Sequence, residues 1–213
     1  MFEVFDPAAG YIVSERCQLP HWFQPGAATF ITFRTEDSIP KDVAQRWYAE
    51  RHAWLMRVGI TQQDPDWRTQ FSALSVDQRR EFHETFSSQF LDYLDRGCGR
   101  CVLKKPELAR HVANALEHFD GHRYDLGDFV IMPNHVHLIV AFHCCTDLET
   151  QCYSWKKFSA GKINRDLGRK GRFWQEESFD HVIRSPEQFD AITRYITDNP
   201  KDLPRGEYLL STK

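Results

Sequence analysis

The sequence predicts an α+β protein, an antiparallel sheet with helices laid on one face. Three observations carry that expectation. Runs of β-branched and aromatic residues alternate with stretches whose apolar residues recur at helical spacing. Pro133-Asn134 separates two of those runs closely enough to make a hairpin. The elements lack the strand–helix–strand rhythm of a parallel sheet.

Taken in order, AATFITFR at 27–34 reads as a strand. Residues 41–58 and 76–95 read as helices, with Val43, Trp47 and Leu55 spaced along the first and Phe82, Phe86, Phe90 and Leu94 along the second. TQQDPDW between them is a polar connector with a proline. Pro106 opens a further helix, with Leu108, Val112, Ala115, Leu116 and Phe119 on one side. HRYDLGDFVIM and HVHLIVAF then form the hairpin, over 122–142. Residues 147–168 are helical, GRKG is a break, and a short strand falls near 180–184. Ser185-Pro186-Glu187-Gln188 starts the last helix: Ser caps, Pro takes the first helical position and Gln completes a capping box. Pro200 ends that helix at Asn199.

A chain of 213 residues with sixteen Phe can bury a sizeable core. Its longest apolar run is far below the ~20 residues of a bilayer span. MFEVFDPAAGYIVSERC has no basic segment followed by an apolar one, so it does not read as a signal peptide, and the expected location is the cytoplasm. Cys17, Cys98, Cys101, Cys144, Cys145 and Cys152 are then expected as thiols. Cys98-Gly-Arg-Cys101 has the spacing of a zinc knuckle or redox pair, but a second ligand pair is poor, because Cys144 and Cys145 are adjacent. A glycine-rich turn is the preferred reading.

The formal net charge of −3 argues weakly against a nucleic-acid partner, whereas its distribution argues the other way. Lys156, Lys157, Lys162, Arg165, Arg169, Lys170 and Arg172 lie close together, with Asp166 the one acidic residue among them. That pattern suits a phosphate-binding surface; a solvated helix face would look the same. Trp155 and Phe173-Trp174 interleave with these charges, as bases stacking on aromatics would need, or as ordinary core anchors would.

In VIMPNHVHLIV, His135 and His137 are two residues apart on a strand, so both point to one face. Two neutral imidazoles there can chelate a divalent ion; a pair of hydrogen-bonded core histidines is the alternative. On the last helix, Phe189, Ile192 and Ile196 form the buried stripe, and Tyr195 and Asn199, one turn apart, share its flank. Alone, they would read as a core-margin residue and a helix end.

These features form an ordered series: His135-Val136-His137, SWKKF at 154–158, KINR at 162–165, FWQ at 173–175, HVIR at 181–184 and YITDNP at 195–200. The series resembles the REP-associated tyrosine transposases, relatives of insertion-sequence transposases among the HUH (His, hydrophobic, His) endonucleases. The match covers roughly 100–200, and LPHWFQPGAATFITFRTEDSIP is similar to the opening of one branch. The resemblance implies a ferredoxin-like antiparallel sheet with helices packed on it, the HUH strand central and the tyrosine helix beside it. It implies one domain over 1–213, with a helical insertion at 36–100 whose acidic and amide-rich composition does not favour DNA.

By that resemblance, His135, His137 and Asn199 would ligate Mg2+ or Mn2+, and Tyr195 would be the nucleophile. The substrate would be single-stranded DNA beside hairpins, cleaved and rejoined through a 5′-phosphotyrosine. The basic residues and Trp174 would hold the strand, giving a nucleoid-associated protein, a monomer or homodimer with no membrane partner. The C-terminal KDLPRGEYLLSTK is short, so control of the site by a tail is not expected. Two rival readings are a non-catalytic, domesticated hairpin-binding protein and a metal phosphohydrolase built on H-x-H.

Overall fold

The computed structural model of the chain describes residues 2–14, 21–64, 66–143 and 146–213. Its strands are β1 (Ile12–Ser14), β2 (His21–Phe23), β3 (Ala28–Arg34), β4 (Tyr124–Ile131), β5 (His135–Phe142), β6 (Phe179–Val182) and β7 (Leu209–Ser211). Its α-helices are α1 (Lys41–Arg57), α2 (Trp67–Ser72), α3 (Val76–Asp95), α4 (Pro106–Glu117), α5 (Leu148–Asp166) and α6 (Pro186–Asp198). They divide into two compact units, Met1–Glu36 with Arg100–Lys213, and Asp37–Gly99.

The first unit is built on a five-stranded sheet in the order β6-β3-β5-β4-β7, with every neighbouring pair antiparallel. Along the chain, β3-α4-β4-β5-α5-β6 is a βαββαβ path. Its fourth strand lies beside its first, then come the third and the second, which is the ferredoxin-like arrangement. β7 adds to the free edge of β4, a strand within a segment that reads from sequence only as a short tail.

β5 is central and buried at all of its positions. A strand with both faces in the interior must be covered on both. Val136, Leu138, Val140 and Phe142 share one core with Leu108, Val112 and Leu116 of α4 and Trp155 and Ile163 of α5. Ile139 joins the opposite core with Phe30, Val130, Met132 and Ile196 of α6, against which Phe189, Ile192 and Tyr195 pack. Helices therefore cover both faces, where the sequence suggested one. The difference arises because the apolar stripe of α6 fits the second face of β5, and no short-range signal says which face a helix will take.

Local chemistry shapes the remaining connections. Gly127 sits where β4 shifts register, and a Cβ there would meet the Phe2 ring at 3.0 Å and the Ile139 carbonyl at 3.2 Å. Ser185 caps α6 as anticipated, accepting from the Gln188 N–H at 3.2 Å. The reciprocal bond differs: Gln188 Oε1 accepts from the Arg184 N–H at 2.8 Å, and its Nε2 donates to His181 Nε2 at 2.6 Å, tying the helix start to β6. Pro200 does not stop the chain's winding at Asn199. A 3-10 turn runs through Asn199–Asp202, because a proline in its first turn forfeits no hydrogen bond.

The second unit holds α1, α2 and α3 around Trp54, Leu55, Ile60, Trp67 and Phe82. Trp54 Nε1 and Arg57 both donate to Glu81 Oε1, at 2.9 and 2.8 Å. Trp67, read as the end of a connector, begins α2. A full capping box of Ser75 and Gln78 starts α3. A turn at Arg96-Gly97 leads into an irregular loop over Cys98–Cys101, with φ of 69° at Gly97, 92° at Gly99 and 50° at Cys101. Among the described residues, Cys98, Cys101 and Cys152 form no disulfide; Cys17, Cys144 and Cys145 lie outside them. No helix among the described residues is long and apolar enough to cross a membrane.

Candidate active site

Strand geometry puts His135 and His137 on the α6 face of β5, and both side chains are fully buried. Across the β3–β5 pairing, Thr32 lies opposite His137 and Arg34 opposite His135, so these four share a face. Thr32 Oγ1 is 2.7 Å from His137 Nδ1. Asn134 Oδ1 is 2.7 Å from His135 Nδ1. A carboxamide oxygen only accepts, so His135 carries its proton on Nδ1 and its basic nitrogen is Nε2. The tautomer is assigned from that bonding.

α6 delivers the third group. Its Phe189, Ile192 and Ile196 stripe seats the helix on the sheet and leaves Tyr195 over β5. The Tyr195 hydroxyl is 3.2 Å from His137 Nε2. The Phe30 ring stacks on His137 at 5.4 Å between centroids and meets Tyr195 edge-on at 6.1 Å. The two imidazoles are 4.5 Å apart, tilted at 71°. His135, His137 and Tyr195, sixty residues apart in sequence, thus converge within one chain. Asn199 follows one turn later, half-buried, its N–H bonded to the Tyr195 carbonyl.

The donor set fits a divalent cation. Each imidazole has Nδ1 engaged by a hydrogen-bonding neighbour, the arrangement that aims Nε2 at a metal. Two adjacent buried imidazoles suit a first-row divalent ion.

Thr32, Arg34 and Asn134 did not stand out in the sequence. A signal existed: in ATFITFR, Phe30, Thr32 and Arg34 alternate onto one face. Only the register shows that this face is the histidine face. Burial pushes the Arg34 guanidinium down to about 10, which leaves it charged at neutral pH.

The basic cluster is placed elsewhere. α5 packs on the sheet face opposite α6, so its lysines and arginines stand on the far side of the sheet from Tyr195. Lys156 turns inward, its Nζ donating to the Gln175 and Glu176 carbonyls and to Ser178 Oγ. Arg169 donates to the Arg172 carbonyl at 2.9 Å, and Arg172 pairs with Glu176 at 3.4 Å. Lys157, Arg165 and Lys170 are exposed and Lys162 is half-exposed.

Trp174 is buried; its Nε1 donates to Ser159 Oγ at 2.9 Å and its ring packs edge-on against Phe33. Its face is taken up by packing, which leaves none to stack on a base, because the indole fills the core under α5. Trp155 and Phe173 are buried likewise. The aromatics that α5 does expose are Tyr153 and Phe158, at 61% and 52%. Lys157 Nζ lies 5.6 Å from the Tyr153 ring and Lys162 Nζ 5.7 Å from the Phe158 ring.

Residues 100–199 match the family described as "Transposase IS200 like". A solved structure of a REP-associated tyrosine transposase bound to a REP hairpin is similar at 14% identity and a TM-score of 0.39, over 85% of this chain and 70% of that one. No curated protein matches the chain.

Proposed function

We propose that this chain, whose residues 100–199 form an IS200-like transposase domain, cleaves and rejoins single-stranded DNA beside hairpins through Tyr195. The observation that carries the reading is the 3.2 Å contact between the Tyr195 hydroxyl and His137 Nε2, on the face shared with His135. In a core that used these histidines only for packing, nothing would require a phenol at that point.

Tyr195 Oη attacks the phosphorus of a DNA phosphodiester. The phenol gives up its proton to solvent, an Oη–P bond forms, the P–O3′ bond breaks, and the departing O3′ takes up a proton from solvent to become a free 3′-hydroxyl. The DNA remains attached through a 5′-phosphotyrosine, which conserves the bond energy for rejoining by the reverse step. A divalent ion held by His135, His137 and Asn199 would polarise a phosphoryl oxygen and favour the phenolate over a phenol of ordinary pKa ~10. His137 Nε2 has one lone pair, so the hydrogen bond from Tyr195 and metal ligation exclude each other. The phenol would therefore leave His137 if the pair held an ion. Arg34, charged beside His135, contributes positive charge toward the phosphate. Lys157, Lys162, Arg165 and Lys170, with Tyr153 and Phe158, hold flanking DNA on the other side of the sheet; Lys156, Arg169 and Arg172 serve mainly to brace the segment at 169–178.

The test is incubation with labelled single-stranded DNA carrying a hairpin, with Mn2+ and separately with Mg2+. A denaturation-resistant protein–DNA adduct is expected, stronger with Mn2+, and absent for Tyr195→Phe. Phe keeps the ring packed on Phe30, so loss of the adduct reports the hydroxyl. An adduct that persists in Tyr195→Phe removes Tyr195 from its role. Tight hairpin binding with no adduct on any substrate supports the non-catalytic binding protein instead.

A further inference from the structure

Two residues outside the motif itself, Thr32 and Asn134, face the Nδ1 atoms of the histidine pair. Both are buried, Thr32 at 1% exposure and Asn134 at 0%. Asn134 is held on its backbone: its carbonyl accepts from the Thr35 N–H at 2.8 Å, and the adjoining Pro133 carbonyl accepts from the Leu103 N–H at 3.1 Å. The turn before β5 is thereby pinned both to the residue after β3 and to the segment before α4. Thr32 is fixed within β3, directly opposite His137 in the central pairing of the sheet. The backbone that carries each oxygen is thereby held opposite its histidine.

We propose that Thr32 and Asn134 are positioning residues that lock both imidazoles in the Nδ1–H tautomer, each acting through its histidine on the availability of Nε2. Asn134 imposes the tautomer on His135 outright, because its oxygen has no proton to give. Thr32 can donate or accept, so its hold on His137 is set by the other ring nitrogen. With the Tyr195 hydroxyl, 3.2 Å away, as donor to Nε2, the His137 proton lies on Nδ1 and Thr32 accepts it, so the two hydroxyls hold the ring together. Threonine suits the task for two reasons. Its β-branch favours the strand and fixes χ1, and its hydroxyl reaches across the strand pair, where a valine of equal shape would offer no oxygen. The inference rests on the metal role proposed for the pair, but its first consequence is readable in the protein without metal.

Nitrogen-15 NMR of the histidine side chains distinguishes the two tautomers directly. In the wild-type chain, both His135 and His137 should show a protonated Nδ1 and an unprotonated Nε2 at a pH where they are neutral. Thr32→Val should leave His135 unchanged and convert His137 to a mixture, and Thr32→Ser should restore the wild-type signal. Asn134→Ala should affect His135 in the same selective manner. Mn2+ affinity, measured by titration calorimetry, should fall about 10- to 100-fold in Thr32→Val and Asn134→Ala and recover in Thr32→Ser. Thermal unfolding accompanies each measurement, so a variant that merely fails to fold is recognised, and the serine variant keeps the test informative in that event. An unlocked His137 in the wild type, or a valine variant with unchanged tautomer and affinity, overturns the proposal. If the tautomers are locked as stated but the wild type binds no metal and forms no adduct, the positioning holds and the transposase chemistry fails.

Discussion

At the scale of the residue, burial decides between roles that side-chain chemistry leaves open. Trp174 lies in a basic, aromatic stretch suited to holding single-stranded DNA, and yet its indole is buried against Phe33 with its N–H on Ser159. We expect Trp174→Phe to lower stability by about 1–3 kcal/mol in urea unfolding, through a lost hydrogen bond and a small cavity. Hairpin DNA affinity should stay within twofold; a tenfold loss in a folded variant would restore Trp174 as a DNA contact. Trp155 follows the same logic, since its Nε1 donates to the Tyr124 hydroxyl at 2.9 Å, which in turn donates to the Leu116 carbonyl at 2.6 Å. The histidines illustrate the reverse case. Full burial would usually argue for packing, but here each ring has a hydrogen-bonding neighbour at Nδ1, and His137 Nε2 faces the Tyr195 hydroxyl of α6.

At the scale of the element, α5 and α6 divide the work. α6 is anchored at its start by Ser185 and by the Gln188–His181 bond, and its stripe presses Tyr195 onto β5. α5 presents a different outer surface, with Tyr153 and Phe158 exposed beside Lys157 and Lys162. Each lysine that neutralises a phosphate releases counterions, so its removal lowers the salt dependence of binding. For Lys157→Ala with Lys162→Ala, the slope of log affinity against log salt should fall by about 1 to 2 in filter-binding titrations. Adduct formation on a short strand without a hairpin should persist, because these residues lie across the sheet from Tyr195. An unchanged slope would mean that this face of α5 is only solvated surface.

At the scale of the whole molecule, the sheet separates two cores, and the proposed catalytic groups lie on the side of the α6 core. Leu138 and Ile139 are adjacent in sequence and point into opposite cores. Each alanine variant should lose about 2–5 kcal/mol of stability. Compared at equal folded fraction, Leu138→Ala should retain adduct formation, whereas Ile139→Ala should lose most of it, since Ile139 packs in the core that seats α6. Equal adduct yields from the two variants would show that the α6 core does not set the position of Tyr195.

Much of this arrangement is legible in the chain. The pairing of His135 with His137 on one face follows from the two-residue period of a strand, and the pairing of Tyr195 with Asn199 follows from the helical turn. The Ser185 cap, Pro106 at a helix start and the Met132–His135 turn are likewise local, as each rests on contacts within about four residues. The order of motifs from His135 to Pro200 carried the family resemblance. The strand at Leu209–Ser211, the short helix at Trp67 and the 3-10 turn through Pro200 escaped, because each depends on a neighbour or departs from a propensity. What only the tertiary structure decided is of one kind. It set which face α6 covers, which residues of β3 stand opposite the histidines, and that Trp174 and Lys156 turn inward while Tyr153 and Phe158 stay out. Those outcomes depend on strand register and layer order, which are fixed by distant contacts and leave no periodic mark in the sequence.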